Sequence, residues 1–263
     1  MLYYVYMKKL FFILLIGCFA LPVFAQNADI YYTRGMAYIQ KGDLDKGIDD
    51  LNHAIMLDPK DPYKWVERGN AYSTQKNLDK AIEDYNQAIA IDPKMDYALT
   101  SRAQAYYSKG DLDKALDDLS RAIALAPNEV GGYSTRGYIY LDKKDWDKAI
   151  MDFSKVISLT PNDDGVWQSR GDAYLAKGDS DKAIDDYTKA ISLNPKSVAV
   201  YISRGGAYMA KGDSDKAIDD MNKAIALNPK DPDPYNSRAQ AYLAKGDYDK
   251  AIKDLDKAIE LAK

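Results

Sequence analysis

Cysteine is all but missing from this chain. Cys18 is the only one in 263 residues, so no internal disulfide can form. Histidine is equally scarce, with His53 alone. A thiol nucleophile and a His/Cys zinc site are therefore excluded from everything beyond residue 18. A basic excess is lacking too: 36 Lys and Arg stand against 40 Asp and Glu, a net charge of −4. Nucleic acid and anionic surfaces require a positive stripe, and the sequence has none. Long hydrophobic runs are also wanting. The most apolar stretch, Leu10 to Ala25, holds 16 residues. A membrane-spanning helix needs about 20.

That stretch stands apart from the rest. Lys8 and Lys9 precede it, and Val23-Phe24-Ala25 closes it. A positive start, a short apolar run and a small final residue are the pattern of a secretory signal. Residues 1–25 are thus expected to be a signal peptide cut before Gln26, with Met7 the better start of the reading frame. A second reading stays open. Leu15-Ile16-Gly17-Cys18 resembles a bacterial lipobox, which would lipidate Cys18 and supply the one contact with a membrane. In either case the mature chain loses Lys8 and Lys9, leaving 34 basic against 40 acidic residues, a net of −6. The expected location is exported: periplasmic, secreted or held at the envelope.

What the sequence does contain is repetition. Pro59, Pro93, Pro127, Pro161, Pro195 and Pro229 are each 34 residues apart, without an insertion. With slots numbered 1 to 34 from Ala28, seven copies follow: 28–61, 62–95, 96–129, 130–163, 164–197, 198–231 and 232–263. Slots 4, 8 and 11, as in Trp65-Gly69-Tyr72, share one helical face. Slots 20, 24 and 27, as in Ala183-Tyr187-Ala190, form a second apolar stripe on a second helix. Between them a Lys-Gly-Asp turn supplies a left-handed C-cap and an N-cap, and the proline stops the second helix. Lys76 and Lys144 replace the glycine in repeats two and four, where the turn should be less favourable.

The period and the spacing of Trp/Tyr, Gly, Tyr, Ala and Pro resemble the tetratricopeptide repeat family over residues 28–263. The resemblance implies an all-α fold, a right-handed superhelical solenoid of helix-turn-helix repeats with a concave groove. It also implies binding of a protein or peptide, without catalysis and without a cofactor.

One departure from the family pattern recurs in every copy. Slot 7, usually apolar there, is Arg34, Arg68, Arg102, Arg136, Arg170, Arg204 and Arg238. Slot 23 is Asp50, Asp84, Asp118, Asp152, Asp186, Asp220 and Asp254. Both sit among the apolar slots, at equal distance from the turn at slot 15. Slot 23 is also as far before the proline as the next Arg is after it. The expectation is a partly buried ladder of alternating Arg and Asp, with each Asp between two guanidiniums. It is structural. The Asp49-Asp50 type of doublet then reads as one solvated and one paired carboxylate, since neighbours on a helix point about 100° apart. No metal cluster or acid–base pair is expected. His53, in a slot that is elsewhere Lys155, Lys189, Lys223 and Lys257, should face solvent.

Specificity should reside in the first helices. By the resemblance, slots 2, 5, 9 and 12 face the groove. They present Tyr32, Met36, Tyr63, Asn70, Tyr97, Tyr107, Tyr138, Ile202 and Met209, with Leu141, Leu175 and Leu243. Aromatics with a polar tip suit peptide surfaces, although any of these tyrosines could instead pack between adjacent helices. Slots 5 and 13 lack the lysines with which some family members clamp a terminal carboxylate. The expected function is a non-catalytic scaffold of the bacterial envelope that binds a protein or peptide. The alternative is a structural subunit of an envelope or secretion complex, joined through its convex face or ends. At the far end Glu260 and Lys253 break the pattern of their slots, and the last helix is expected to offer a polar cap.

Overall fold

The computed structural model describes residues 27–263. The expected signal segment, residues 1–25 with Met7, Lys8, Lys9 and Cys18, lies outside the described residues. Two compact units divide the chain after Pro127. In the first, α1 (27–40), α2 (Leu44–Leu57), α3 (Pro62–Thr74), α4 (Leu78–Ile91), α5 (Asp96–Lys109) and α6 (Leu112–Leu125) form three hairpins. In the second, α7 (Val130–Asp142), α8 (Trp146–Leu159), α9 (Asp164–Lys177), α10 (Ser180–Leu193), α11 (Val198–Ala210), α12 (Ser214–Leu227), α13 (Asp233–Ala244) and α14 (Tyr248–Leu261) form four.

Each helix boundary follows from local chemistry. In the turn from α9 to α10, Gly178 takes φ +91°. Its N–H bonds Leu175 O at 2.9 Å, and Asp179 N–H bonds Tyr174 O at 2.9 Å. These bonds satisfy carbonyls that the helix end leaves open. The Asp179 side chain then accepts from Lys182 N–H at 3.3 Å and takes an ion pair from Lys182 Nζ at 2.7 Å. Lys76 and Lys144 adopt the same left-handed backbone, at φ 61° and 57°, despite carrying a Cβ.

The hairpins close over the second apolar stripe. In the second, fourth and fifth repeats slot 24, which is Tyr85, Phe153 and Tyr187, is the largest buried side chain. It fits only because slot 8 opposite is glycine. A Cβ on Gly69, Gly137 or Gly171 would stand 2.7 Å from a ring carbon. Where slot 24 is Leu119, slot 8 is Ala103, and both are fully buried.

Arg and Asp meet inside each hairpin. Arg170 Nε donates to Asp186 Oδ2 at 2.7 Å and Nη2 to Oδ1 at 2.8 Å. The same two-pronged bond joins all seven pairs, from Arg34–Asp50 to Arg238–Asp254. The expected alternation is corrected. Asp186 does not lie between two guanidiniums, because Arg204 spends its fork on Asp220. The link to the preceding repeat goes through Arg Nη1 to slot 25: Arg68 to Asn52, Arg102 to Asn86, Arg170 to Ser154, Arg204 to Thr188 and Arg238 to Asn222. Aromatic rings flank these cations; Arg170 lies 4.9 Å from the Trp167 ring and 5.8 Å from that of Tyr174.

Within each unit the first helices approach one another. α3 touches α5, α9 touches α11, and α11 touches α13. Among the described residues, second helices make no comparable contact. Each unit therefore curves with its first helices on the inside.

Candidate functional site

In the first unit the inner face is organised around Asn70, at slot 9 of α3. Its Oδ1 accepts from the Tyr85 hydroxyl at 2.8 Å. Its Nδ2 donates to Tyr97 Oη at 2.9 Å and to Glu67 Oε2 at 3.2 Å. A single amide thus ties α3 to α4 and α5. Glu67 is pushed above the usual carboxylate range by burial, which the Asn70 bond only partly offsets. Tyr32, on α1, has its hydroxyl pKa raised by burial first, then by the charges of Glu67 and Asp61.

Lys64 underlies this cluster. It is 2% exposed, in a slot that holds Ala98, Val166 or Val200 in other repeats. Burial alone would lower its pKa. Bonds to Asp61 at 2.5 Å and Asp58 at 3.1 Å outweigh that and hold it raised. Asp29 adds a third carboxylate at 3.6 Å. The ammonium lies 6.0 Å from the centre of the Tyr32 ring.

In the second unit, Tyr138 and Asp172 hold slot 9. The Tyr138 ring meets Phe153 edge-on at 5.2 Å. Its hydroxyl is 2.9 Å from Ser169 Oγ. Ser169 spends its own proton on Gly165 O. Tyr138 is therefore the donor. Asp172 accepts from the Tyr187 hydroxyl at 2.7 Å. Burial raises its pKa against that bond.

Of the residues expected at the groove, Tyr32, Asn70 and Tyr97 come together. Tyr63, 58% exposed, stands mostly in solvent. Tyr97 and Tyr138 remain accessible, while Met36, Tyr107, Ile202 and Met209 are half-buried. Slot 9 also carries a packing duty inside its own hairpin. Where slot 24 is Tyr85 or Tyr187, slot 9 is Asn70 or Asp172 and takes the phenol. Where slot 24 is Phe153, slot 9 is Tyr138 and packs on the ring. Glu67 and Asp172 were not expected at the site. The signal was available: a tyrosine at slot 24 occurs only with an amide or carboxylate 15 residues earlier. His53 is exposed as expected, with Nδ1 2.8 Å from Asp49 O and the ring stacked on Tyr31.

These surfaces offer hydrogen-bond donors, acceptors and aromatic faces along packed helices. Solved structures with the same architecture include a tetratricopeptide repeat protein from Parabacteroides merdae, 22% identical with a TM-score of 0.67, covering 90% of this chain and 94% of that one. A Pseudomonas aeruginosa pilF structure is 19% identical, with a TM-score of 0.70 over 82% of this chain and 98% of that one. MamA is 29% identical, with a TM-score of 0.58, covering 61% of this chain and 94% of that one. No curated protein matches. Models described as tetratricopeptide repeat match residues 28–61 and 130–163, then 62–95, 97–129 and 232–263, and finally 169–232. Together with the hairpins they match, these assignments establish that the chain belongs to the tetratricopeptide repeat family, whose members are generally non-catalytic scaffolds for protein interaction.

Proposed function

We propose that this protein is a non-catalytic scaffold of the cell envelope that holds an extended segment of a partner protein against the inner faces of its first helices. The observation that carries the reading is the Asn70 cluster. Tyr97 is 44% exposed, and its hydroxyl is fixed by an amide whose own partners are fixed. Pre-set hydrogen-bond geometry beside an exposed ring lowers the ordering cost of binding a peptide. Glu67 and Asp172, both half-buried carboxylates without a cationic partner in hydrogen-bond reach among the described residues, favour a ligand that brings donors or positive charge. YrrB, 20% identical with a TM-score of 0.60, is described as having an unusual peptide-binding site. The envelope location rests on residues 1–25 alone.

A library of immobilised peptides tests the groove. Wild-type protein should retain peptides enriched in Lys, Arg or Asn, and Tyr97→Ala and Glu67→Gln should each weaken retention about tenfold, a change of about 1.4 kcal/mol. Undiminished binding by both variants refutes use of this face. Export is tested by N-terminal sequencing, which should start at Gln26 or at a lipidated Cys18; an intact N-terminus in the cytoplasm refutes it.

A further inference from the structure

The junctions within the two units use the same three interlocks. Slots 21 and 28 of one repeat pack on slots 3 and 10 of the next, as Ile82 and Ile89 do with Ala98 and Ala105. Arg at slot 7 reaches back to slot 25, through the five Nη1 bonds given above. Slot 14 reaches back to an Asp at slot 18: Gln75 to Asp45, Lys109 to Asp79, Lys177 to Asp147, Lys211 to Asp181 and Lys245 to Asp215.

The first and last helices display the two unmated halves of this lock. On α14, Ile252 and Ile259 are 56% and 59% exposed, whereas the matching Ile48 and Ile55 are 7% and 6% exposed. The expected polar cap is therefore corrected. Glu260 pairs with Lys257 and leaves the apolar slots uncovered. On α1, Ile30 is 59% exposed and Ala37 is exposed, while slots 3 and 10 are buried in the other six repeats. Arg34 is 57% exposed at its side chain, against 15–19% for its counterparts. Among the described residues its Nη1 has no hydrogen-bond partner, and Lys41 and Asp249 make no ion pair.

The charges of the two halves are opposite. Slot 25 is Asn, Ser or Thr in six repeats but Asp256 in the last, where it would face Arg34. Slot 18 of the last repeat is Asp249, which would face Lys41.

We infer that the α14 face of one copy docks on the α1 face of a second copy, reproducing the junction found inside the chain. Ile252 and Ile259 cover Ile30 and Ala37, while Asp256 and Asp249 take Arg34 and Lys41. The Asp256–Arg34 pair joins two full charges where the internal junctions join a charge to a neutral group. That difference favours a second copy over an unrelated partner. The contact is heterologous, so growth does not stop at two copies unless a ring closes. This inference is independent of peptide binding by the inner face.

Sedimentation across a concentration series tests it, using protein recovered from cells that express the full chain. The wild type should show a mass that rises beyond the dimer. Asp256→Arg and Ile259→Glu should each weaken association at least about tenfold, the first by setting like charges against each other and the second by burying a carboxylate against apolar side chains. Lys41→Glu and Asp249→Lys should each weaken it alone. Combined in one chain, they should restore it. Among the described residues neither Lys41 nor Asp249 forms an ion pair, so the swap should leave the fold intact, which circular dichroism checks. Monomer mass up to about 1 mM, the range of a barely useful contact, overturns the inference. So does association that ignores all four variants, or that is lost only when residues 1–26 are removed.

Discussion

Removing the Asp186 carboxylate gives the sharpest test of what holds a hairpin together. Arg170 has three anchors: the Asp186 fork, Ser154 Oγ at 3.0 Å, and the Trp167 and Tyr174 rings. The Arg170 side chain is 17% exposed and that of Asp186 is 6% exposed. Asp186→Ala therefore strands one largely buried cation, not two. Breaking a fully buried pair costs about 3–5 kcal/mol, and an exposed pair is worth about 0.2–1 kcal/mol. Water can reach one edge of Arg170, and its serine and indole contacts survive. The expected loss is about 2–3 kcal/mol, below the fully buried figure. Each repeat leans only on its neighbours, so the damage should be local. Amide hydrogen exchange should speed up across α9, α10 and α11 and stay unchanged in α2 to α4. A urea melt followed by circular dichroism should show an early phase. The control is Asp185→Ala, because Asp185 is exposed beside Asp186 and should change stability by no more than about 0.5 kcal/mol. Equal, small losses for both variants would refute the claim that the slot 7 and slot 23 charges bear on stability.

Three further outcomes are expected. Gly171→Ala pushes a Cβ to 2.7 Å from the Tyr187 ring, which Asp172 holds in place, so overpacking should outweigh the gain in helix propensity with a net loss of about 1–2 kcal/mol by thermal melt. Lys144→Gly relieves a left-handed residue and should stabilise the fourth hairpin by up to about 1 kcal/mol in the same assay. Glu67 and Asp172 have folded pKa values raised by burial, so the native state binds protons first and stability should rise as pH falls from neutral through those raised values. The helix-capping Asp43, Asp145, Asp179, Asp213 and Asp247 are held low by their Lys partners, so their contribution is present above about pH 4 and is lost as pH falls through the lower folded values. A melting-temperature series against pH should thus rise and then fall on acidification, and Glu67→Gln should flatten the rise; a steady decline from neutral pH would refute the raised carboxylates.

The sequence by itself determined the period, the two helices of each repeat, the turn chemistry and the partnership of slots 7 and 23. All of these depend on residues within one 34-residue unit, where spacing translates directly into helical face and height. It could not choose between the two Arg neighbours of each Asp. They are equally spaced about the turn and about the proline, so periodicity treats them alike. Tertiary structure decided, because the hairpin presents the guanidinium fork to its own carboxylate and leaves only Nη1 to cross to Asn52, Ser154 or Thr188. The Asn70 cluster was equally hidden, since Tyr97 and Tyr85 reach the amide from different helices, 27 and 15 residues away. The same limit applies at the ends of the described chain. Ile48 and Ile252 are the same residue in the same slot, yet one is 7% and the other 56% exposed. Burial belongs to a pair of surfaces, and a repeated sequence specifies only one of them.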